Sequence, residues 1–446
     1  MSAADALVTT NHMSSRRIGS PFHSASWYLS EKLIRMAGAF FIGAWVARYL
    51  GPEQYGILAF AVALTTTLGF LASWGIETLV VRDLVQHPER VSAITSTYFF
   101  VRLAGALTVP FFAYLFLAFT HQGDEALQWV TLILAFGISL LAFEVADCWL
   151  QSQHRSRQTS LIRIVAFTSS AAIKVALVLA EANLAWFAFA IVIETLIIAI
   201  AYGRSLHRNG IKLALRYWDN AEFHNLFLRS KGMILSGLTV VIYSKIDVLA
   251  VGSLLSKEEL GTYAMAATLC GAWNMLGMSL SQAFSPHISA LRQQGRGGGY
   301  FVALRQFLLL MFGTSVAGSL LLTFLSPWIF DLLLGPAFAE SSRIFTLLVW
   351  SSVPIFMGVA TSQIIVNEKV YWVSMLRTTV GMIISLSLIV PAISYFGAMG
   401  AATVIVISAS ISVPLILLSS SARHVIFAAV TNTHSFNSFN HRNDFY

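Results

Sequence analysis

Twelve apolar stretches, each long enough to cross a bilayer, run the length of this 446-residue chain. A hydrocarbon core of roughly 30 Å takes about 20 residues of helix to cross. Backbone amides in lipid must be satisfied within the protein, so a crossing segment is either a helix or part of a closed barrel. These stretches lack strict period-two alternation, which selects helices. They fall at about 27–50, 57–80, 96–119, 127–150, 160–181, 184–204, 231–254, 262–285, 304–328, 342–363, 371–392 and 398–421. The expected fold class is an all-α polytopic membrane protein of about twelve transmembrane helices. Composition agrees: only 11% of residues are charged, against roughly 25% in soluble domains, which need that polarity to cover their surface.

Positive charge is sorted by side. Twenty-three of the 28 lysines and arginines lie before the first span or at every second connection, including the helix ends that flank it. Three, Arg48, Lys257 and Arg343, lie on the other side, and Lys174 and Lys245 sit within spans. By the positive-inside rule this bias predicts cytoplasmic termini. It also supports the count, because a wrong number of spans would scramble the alternation. The net charge of +7 is then a topology signal rather than a nucleic-acid signal, and no nucleic-acid partner is expected.

The halves carry a repeat. Leu50-Gly51-Pro52-Glu53-Gln54-Tyr55-Gly56-Ile57-Leu58-Ala59-Phe60-Ala61 follows the first span, and Leu255-Ser256-Lys257-Glu258-Glu259-Leu260-Gly261-Thr262-Tyr263-Ala264-Met265-Ala266 follows the seventh. At this fixed offset Leu, Glu, Gly and two Ala coincide. Six spans per half give both halves the same orientation, related by an axis along the membrane normal. The expected organisation is a cytoplasmic segment 1–26, a six-helix bundle 27–204, a linker 205–230, a second bundle 231–421 and a cytoplasmic tail 422–446. The linker mixes basic with apolar residues and reads as a surface amphipathic helix. The tail, rich in Asn, Ser and His, reads as poorly ordered. Residues 1–26 are polar and the first apolar run is too long for a signal-peptide core, so no cleavable signal is expected.

Little points to chemistry. Cys148 and Cys270 have neither metal-ligand nor disulfide-framework spacing and read as small core residues. The Gly-rich segment 292–299 lacks the phosphate-loop pattern. The short outer connections carry no paired carboxylates or nucleophile, which argues against a membrane enzyme, and no cofactor or metal is expected.

Ionisable residues within spans are costly in lipid and are therefore the site candidates. Arg35 lies about 12 Å into the first span at about 1.5 Å per residue. Glu31 is one turn earlier on the same face: the two either pair, or snorkel with Lys32 to the interface. Lys245 is near the middle of span seven, too deep to snorkel easily. Lys174 and Glu194 fall mid-span in spans five and six, either as cavity residues or as a buried pair. Glu77, Glu144 and Asp147 lie toward cytoplasmic ends, either as gating groups or in ion pairs with Arg82, Arg155 or Arg157. Asp247, two residues from Lys245, points to a different face and reads as a packing or gate contact. Arg48 stands at the outer mouth. The cationic cavity candidates are thus Arg35, Lys174, Lys245 and Arg48; the gating or coupling candidates are Glu31, Glu77, Asp147, Glu194 and Asp247. Trp27, Tyr28, Trp45, Trp74, Tyr243, Trp273 and Asn274 are available as polar and aromatic walls.

Residues 48–61, R-Y-L-G-P-E-Q-Y-G-I-L-A-F-A, resemble the first outer turn of the Wzx-type polysaccharide biosynthesis flippases of the multidrug/oligosaccharidyl-lipid/polysaccharide exporter superfamily. Gly75–Asp83, Trp149–Arg155, Lys245–Gly252 with Gly261–Ala267, Leu333–Phe338 and Phe396–Ala402 are similar to further stretches of that family, in order and spacing. His154 stands where the family commonly has an acidic residue, and the resemblance leads us to expect none of the extra lipid-groove helices that some members carry. The resemblance implies two six-helix bundles facing each other as a V around a central cavity. It implies flipping of an undecaprenyl-diphosphate-linked oligosaccharide from inner to outer leaflet in the bacterial inner membrane. Its implied partners are that glycan, membrane lipids, a polysaccharide polymerase and a chain-length regulator. The competing reading is a multidrug or cation antiporter of the same superfamily, which prefers acidic or apolar cavity walls.

Overall fold

The computed structural model describes residues 21–294 and 297–431, and every regular element among them is helical. Nine continuous helical stretches there are long and apolar enough to cross a membrane. Two of the nine each contain two expected spans. Helix α1 (Pro21–Leu68) changes direction at Gly51, whose φ of 72° and ψ of 169° suit only glycine. Helix α14 (Tyr371–Ser412) does so at Gly397, with φ 57°. Helix α10 (Lys257–Gln293) has the length, at 37 residues, but is too polar to count among the nine. With it and the two bends, the expected twelve spans are accounted for.

Several spans are interrupted. Span two breaks into the end of α1, α2 (Phe70–Ser73) and α3 (Glu77–Gln86), with Trp74 in the left-handed region. Span four is α5 (Glu125–Ile138) and α6 (Val145–Ser152), joined by a 3₁₀ turn at Ser139–Glu144. Span ten is α12 (Ala339–Leu348) and α13 (Ser352–Asn367), joined by another at Val349–Ser351. The remainder are α4 (Val91–Thr120), α7 (Ser156–Leu179), α8 (Leu184–Arg208), α9 (Asn220–Leu254) and α11 (Gly297–Leu334).

Two expectations are corrected. Segment 205–230 is not one amphipathic helix: α8 runs on to Arg208, α9 begins at Asn220, and between them lies an irregular strap with a single 3₁₀ turn at Leu215–Tyr217. Asp219 starts α9 by accepting from the Ala221 and Glu222 amides, and Arg90 reaches it at 2.6 Å. The tail does not lose structure at Arg423, because α15 spans Ser420–Thr431; residues 432–446, like 1–20, lie outside the described residues.

The Glu222 amide above all, with the Ala221 amide and Arg90, holds the Asp219 carboxyl below the usual carboxylate range. A depressed carboxylate contributes stability above its unfolded pKa and loses it as pH falls through the folded one. Docking of the strap should therefore be intact at neutral pH and loosen only in acid below the usual carboxylate range. Hydrogen exchange at Ala221 and Glu222, corrected for intrinsic rate, checks this; protection unchanged in strong acid would refute it.

The core explains the shape. At the face carrying the Gly51 and Gly397 turns, one hydrophobic cluster joins both halves, from Ala44 and Phe60 through Tyr263 and Phe345 to Val404. At the opposite face, which carries the strap, the core separates. One cluster, including Tyr98, Trp149 and Tyr202, belongs to the first half and takes in Leu226 of α9; the other, including Tyr300, Phe307 and Phe356, belongs to the second. The two bundles thus share one core at the first face and keep largely separate cores at the strap face, where Leu226 of α9 still packs into the first half.

The repeat makes the joint. A Cβ on Gly56 would lie 2.1 Å from the Lys257 carbonyl oxygen, and one on Gly261 would lie 1.8 Å from that of Pro52. These are equivalent positions of the two repeats, each glycine against the other copy's turn. Only the absence of a side chain lets α1 and α10 approach this closely.

Candidate functional site

The joined face is latched by polar contacts between the halves. Arg48 donates to the Leu332 carbonyl oxygen at 3.2 Å, near the C-terminus of α11, where carbonyls lack helical partners and the helix dipole favours a cation. Lys257 Nζ lies 2.8 Å from Asp124 Oδ2. His121 Nε2 lies 3.0 Å from the Gly252 carbonyl oxygen. At the strap face Lys32 Nζ donates to Gln282 Oε1 at 3.0 Å, and the start of α9 docks on the first half through Arg229–Asp83 at 2.6 Å.

In the first half the sequence candidates come together, in pairings that differ from the expected ones. Arg35 pairs with Glu194 of α8 at 3.7 Å rather than with Glu31, and lies 5.6 Å from the Phe167 ring centre. Lys174 of α7 is within electrostatic range of both. Glu31 is buried, with Arg163 of α7 as its strongest electrostatic neighbour. Asp147 binds Arg163 at 2.9 Å, and Tyr202 accepts from Arg163 Nε at 3.3 Å. Glu77 and Glu144 hold Arg102, at 3.5 and 2.8 Å. Arg82 instead lies 4.0 Å from Asp83, and Arg155 sits over the Trp149 ring.

These breaks and pairs belong together. Glu77 opens α3 just after the interruption of span two, and Glu144 ends the 3₁₀ turn that interrupts span four. Arg102 on α4 bridges both and is only 2% exposed. Interrupted helices are tolerated at membrane depth only where their freed polar groups find partners.

The second half is different. Asp247 accepts from Tyr263 OH at 2.8 Å, a contact between α9 and α10, and does not form an ion pair with Lys245. Lys245 makes no ion pair within 4 Å among the described residues. It lies two positions after Tyr243, which packs on Gly381 of α14 and lies 3.1 Å from Ser408 Oγ. At about 100° per residue Lys245 therefore faces away from α14.

Arg377 of α14, unremarked in the sequence, donates to Thr361 Oγ1 at 3.2 Å and packs on Gly358. Its Nε is buried without a hydrogen-bond partner, and among the described residues it has no carboxylate within 4 Å. A signal existed: 371–421 contains no acidic residue and Arg377 is its only cation. Arg102 and Arg163 were likewise read as loop-flanking charges because sequence depth does not reveal burial.

Of the aromatic candidates, Trp273 stacks on Phe356 at 5.9 Å as a packing residue, and Asn274 bonds the Cys270 sulfur. The side chains of Trp27 and Tyr28 lie outside the described ones. Cys148 and Cys270 are both buried and free.

Solved structures share this architecture. Lipid II flippase MurJ in an inward closed conformation superposes with a TM-score of 0.72 at 13% identity, covering 92% of this chain and 91% of that one. A multidrug resistance MATE family transporter of the MOP superfamily superposes in its inward-facing conformation at 0.69, with 14% identity and coverage of 92% and 99%. An outward-facing structure of such a transporter gives 0.58 at 15% identity, covering 92% and 97%. No curated protein matches the chain. The chain thus has the fold of these multi-pass transporters of the MOP (multidrug/oligosaccharidyl-lipid/polysaccharide exporter) superfamily. Residues 23–292 match the polysaccharide biosynthesis protein family, well over half of the chain, and the chain belongs to that family. Residues 233–390 also match the MatE family.

Proposed function

We propose that this protein moves a polyprenyl-diphosphate-linked oligosaccharide from the cytoplasmic to the outer leaflet of the bacterial inner membrane by alternating access, for surface polysaccharide assembly. The observation that carries the reading is Arg377, a guanidinium inside the second bundle with a free buried donor and no carboxylate beside it. An uncompensated cation in such a place calls for an anion, and a diphosphate offers a guanidinium paired acceptors. Lys245 lies within electrostatic range of Asp247 and makes no ion pair within 4 Å among the described residues, so it is only partly offset. In the first bundle Arg35 and Lys174 share Glu194, so they supply less net attraction.

The positive-inside bias orients the strap face to the cytoplasm. The separately packed cores then lie toward the leaflet where lipid-linked glycans are assembled, and the shared core with the Arg48 and Lys257 latches lies outward. Exporting an anion from a negative-inside compartment runs down the electrical potential, by about 2.3 kcal/mol per charge per 100 mV. A polysaccharide polymerase and a chain-length regulator are the partners expected to take the product onward.

The MatE match and the inward-facing MATE superposition favour a second reading, a drug or cation antiporter, with Glu194 and Asp247 as coupling groups. One experiment separates the two. Arg377→Ala and Lys245→Ala are expected to lower complementation of surface-glycan assembly at least tenfold, with lipid-linked glycan accumulating in the inner leaflet and membrane insertion unchanged. Full activity in both variants would remove the anion reading. Export of cationic dyes that ignores both substitutions would establish the antiporter.

A further inference from the structure

Between α4 of the first bundle and the strap with the start of α9 lies an apolar groove of about 750 Å³. One wall is α4 from Phe100 to Leu107, about 10 Å of helix at about 1.5 Å per residue. The other is the strap and the start of α9, through Leu215, Trp218 and Phe223, and Trp74 closes one end. Both tryptophans satisfy their N–H groups within the protein: Trp74 Nε1 donates to the Leu71 carbonyl oxygen at 2.9 Å, and Trp218 Nε1 to Asn220 Oδ1 at 2.6 Å. Their ring faces are left as apolar surface. Aromatic contacts continue from Trp218 to Phe223, from Phe223 to Phe227 and from Phe227 to Trp74, at 5.5, 6.4 and 5.9 Å. Leu215 is 70% exposed at the rim.

The rim is basic. Arg216, between the lining residues Leu215 and Trp218, lies 4.8 Å from the Tyr217 ring centre. Lys231 sits 5.7 Å from the Phe227 ring centre. Lys212 is exposed on the strap. None of the three makes an ion pair within 4 Å among the described residues, whereas the nearby Arg90 and Arg229 are both paired with carboxylates.

We propose that this groove binds one anionic phospholipid, its acyl chain between α4 and α9 and its phosphate against Arg216, Lys231 and Lys212. The apolar volume fits a chain, and the unpaired cations at its aromatic rim select a negative headgroup over a zwitterionic one. The strap leads into α9, which runs from the first bundle into the second. A lipid seated there touches both α4 and the helix that joins the halves. The proposal does not depend on the identity of the transported cargo.

Native mass spectrometry of the full chain in mild detergent tests it, with phosphatidylglycerol, phosphatidylcholine and undecaprenyl phosphate as added probes. The wild type is expected to retain one phosphatidylglycerol at least tenfold better than phosphatidylcholine. Ala104→Trp, which fills the groove, should abolish retention. Leu215→Ser, which adds no bulk, should weaken it severalfold with thermal stability unchanged. The double variant Arg216→Ala/Lys231→Ala should lose the preference for phosphatidylglycerol while retaining both phospholipids equally. Equal retention of the two phospholipids by the wild type, or undiminished retention in both groove variants, would overturn the proposal. Displacement of phosphatidylglycerol by equimolar undecaprenyl phosphate would also overturn it, and would assign the groove to the polyprenyl chain instead.

Discussion

Gly261→Ala will hold the two bundles apart at the face where they now meet. The added methyl carbon would stand 1.8 Å from the Pro52 carbonyl oxygen and 2.6 Å from its carbon. Both are backbone atoms, so no rotamer change relieves the overlap and α1 must move away from α10. Overpacking a tight contact typically costs about 1–3 kcal/mol. Because the contact exists only when this face is closed, the cost falls on one conformation alone. A bias of about 2 kcal/mol shifts a two-state equilibrium roughly 30-fold. Cysteines replacing Asp124 and Lys257, whose side chains now meet at 2.8 Å, report the closure. Their disulfide should form readily in the parent and poorly beside Gly261→Ala, and transport should fall in step. Gly56→Ala, the equivalent position in the other repeat, should do the same. Gly43→Ala, with nothing within 4 Å of its added carbon, should have no effect. Unchanged cross-linking in Gly261→Ala would refute the reading of this contact as a pivot.

Arg102→Leu is expected to cause the largest loss of stability of any single substitution considered. Arg102 is buried between the two interrupted spans, with Glu144 at 2.8 Å, Glu77 at 3.5 Å and the Tyr98 hydroxyl at 3.2 Å. Removing one partner of a buried ion pair costs about 3–5 kcal/mol, because the charge left behind stays desolvated. Glu77 is half exposed and Glu144 is partly so, which sets the expectation near the lower figure, about 3 kcal/mol. The triple variant Arg102→Leu/Glu77→Gln/Glu144→Gln should recover most of that loss, since no lone charge remains. Unfolding midpoints in detergent measure both. A single variant as stable as the parent would show that the pairing contributes little to holding the broken helices together.

Much of the architecture was legible in the sequence for a simple reason. Lipid leaves a chain few choices, so length and hydropathy yield spans and lysine and arginine counts yield the alternation. The offset repeat pointed to the two like-oriented halves and to Gly56 and Gly261 as equivalents. The candidate site was less legible. Glu31, Arg35, Asp147, Lys174 and Glu194 were all singled out, yet Arg35 pairs across helices to Glu194, and Glu77 and Glu144 turn to Arg102. Pairing rules within one helix identify which side chains share a face; they do not reveal which neighbouring helix meets that face. The strap was misread as one helix because basic-apolar mixing fits both an amphipathic helix and an irregular interfacial segment.

The sequence by itself determined a twelve-span membrane bundle with two repeated halves, because hydrophobic length and charge placement act locally along the chain. Only the tertiary structure decided which charges are cancelled. Net charge at a membrane-buried site depends on partners brought from distant helices. In the first bundle those partners exist for Arg35, Arg102 and Arg163. In the second, Arg292 has Glu368, but among the described residues no carboxylate lies within 4 Å of Arg377, and that one buried guanidinium is the charge left without a counterion.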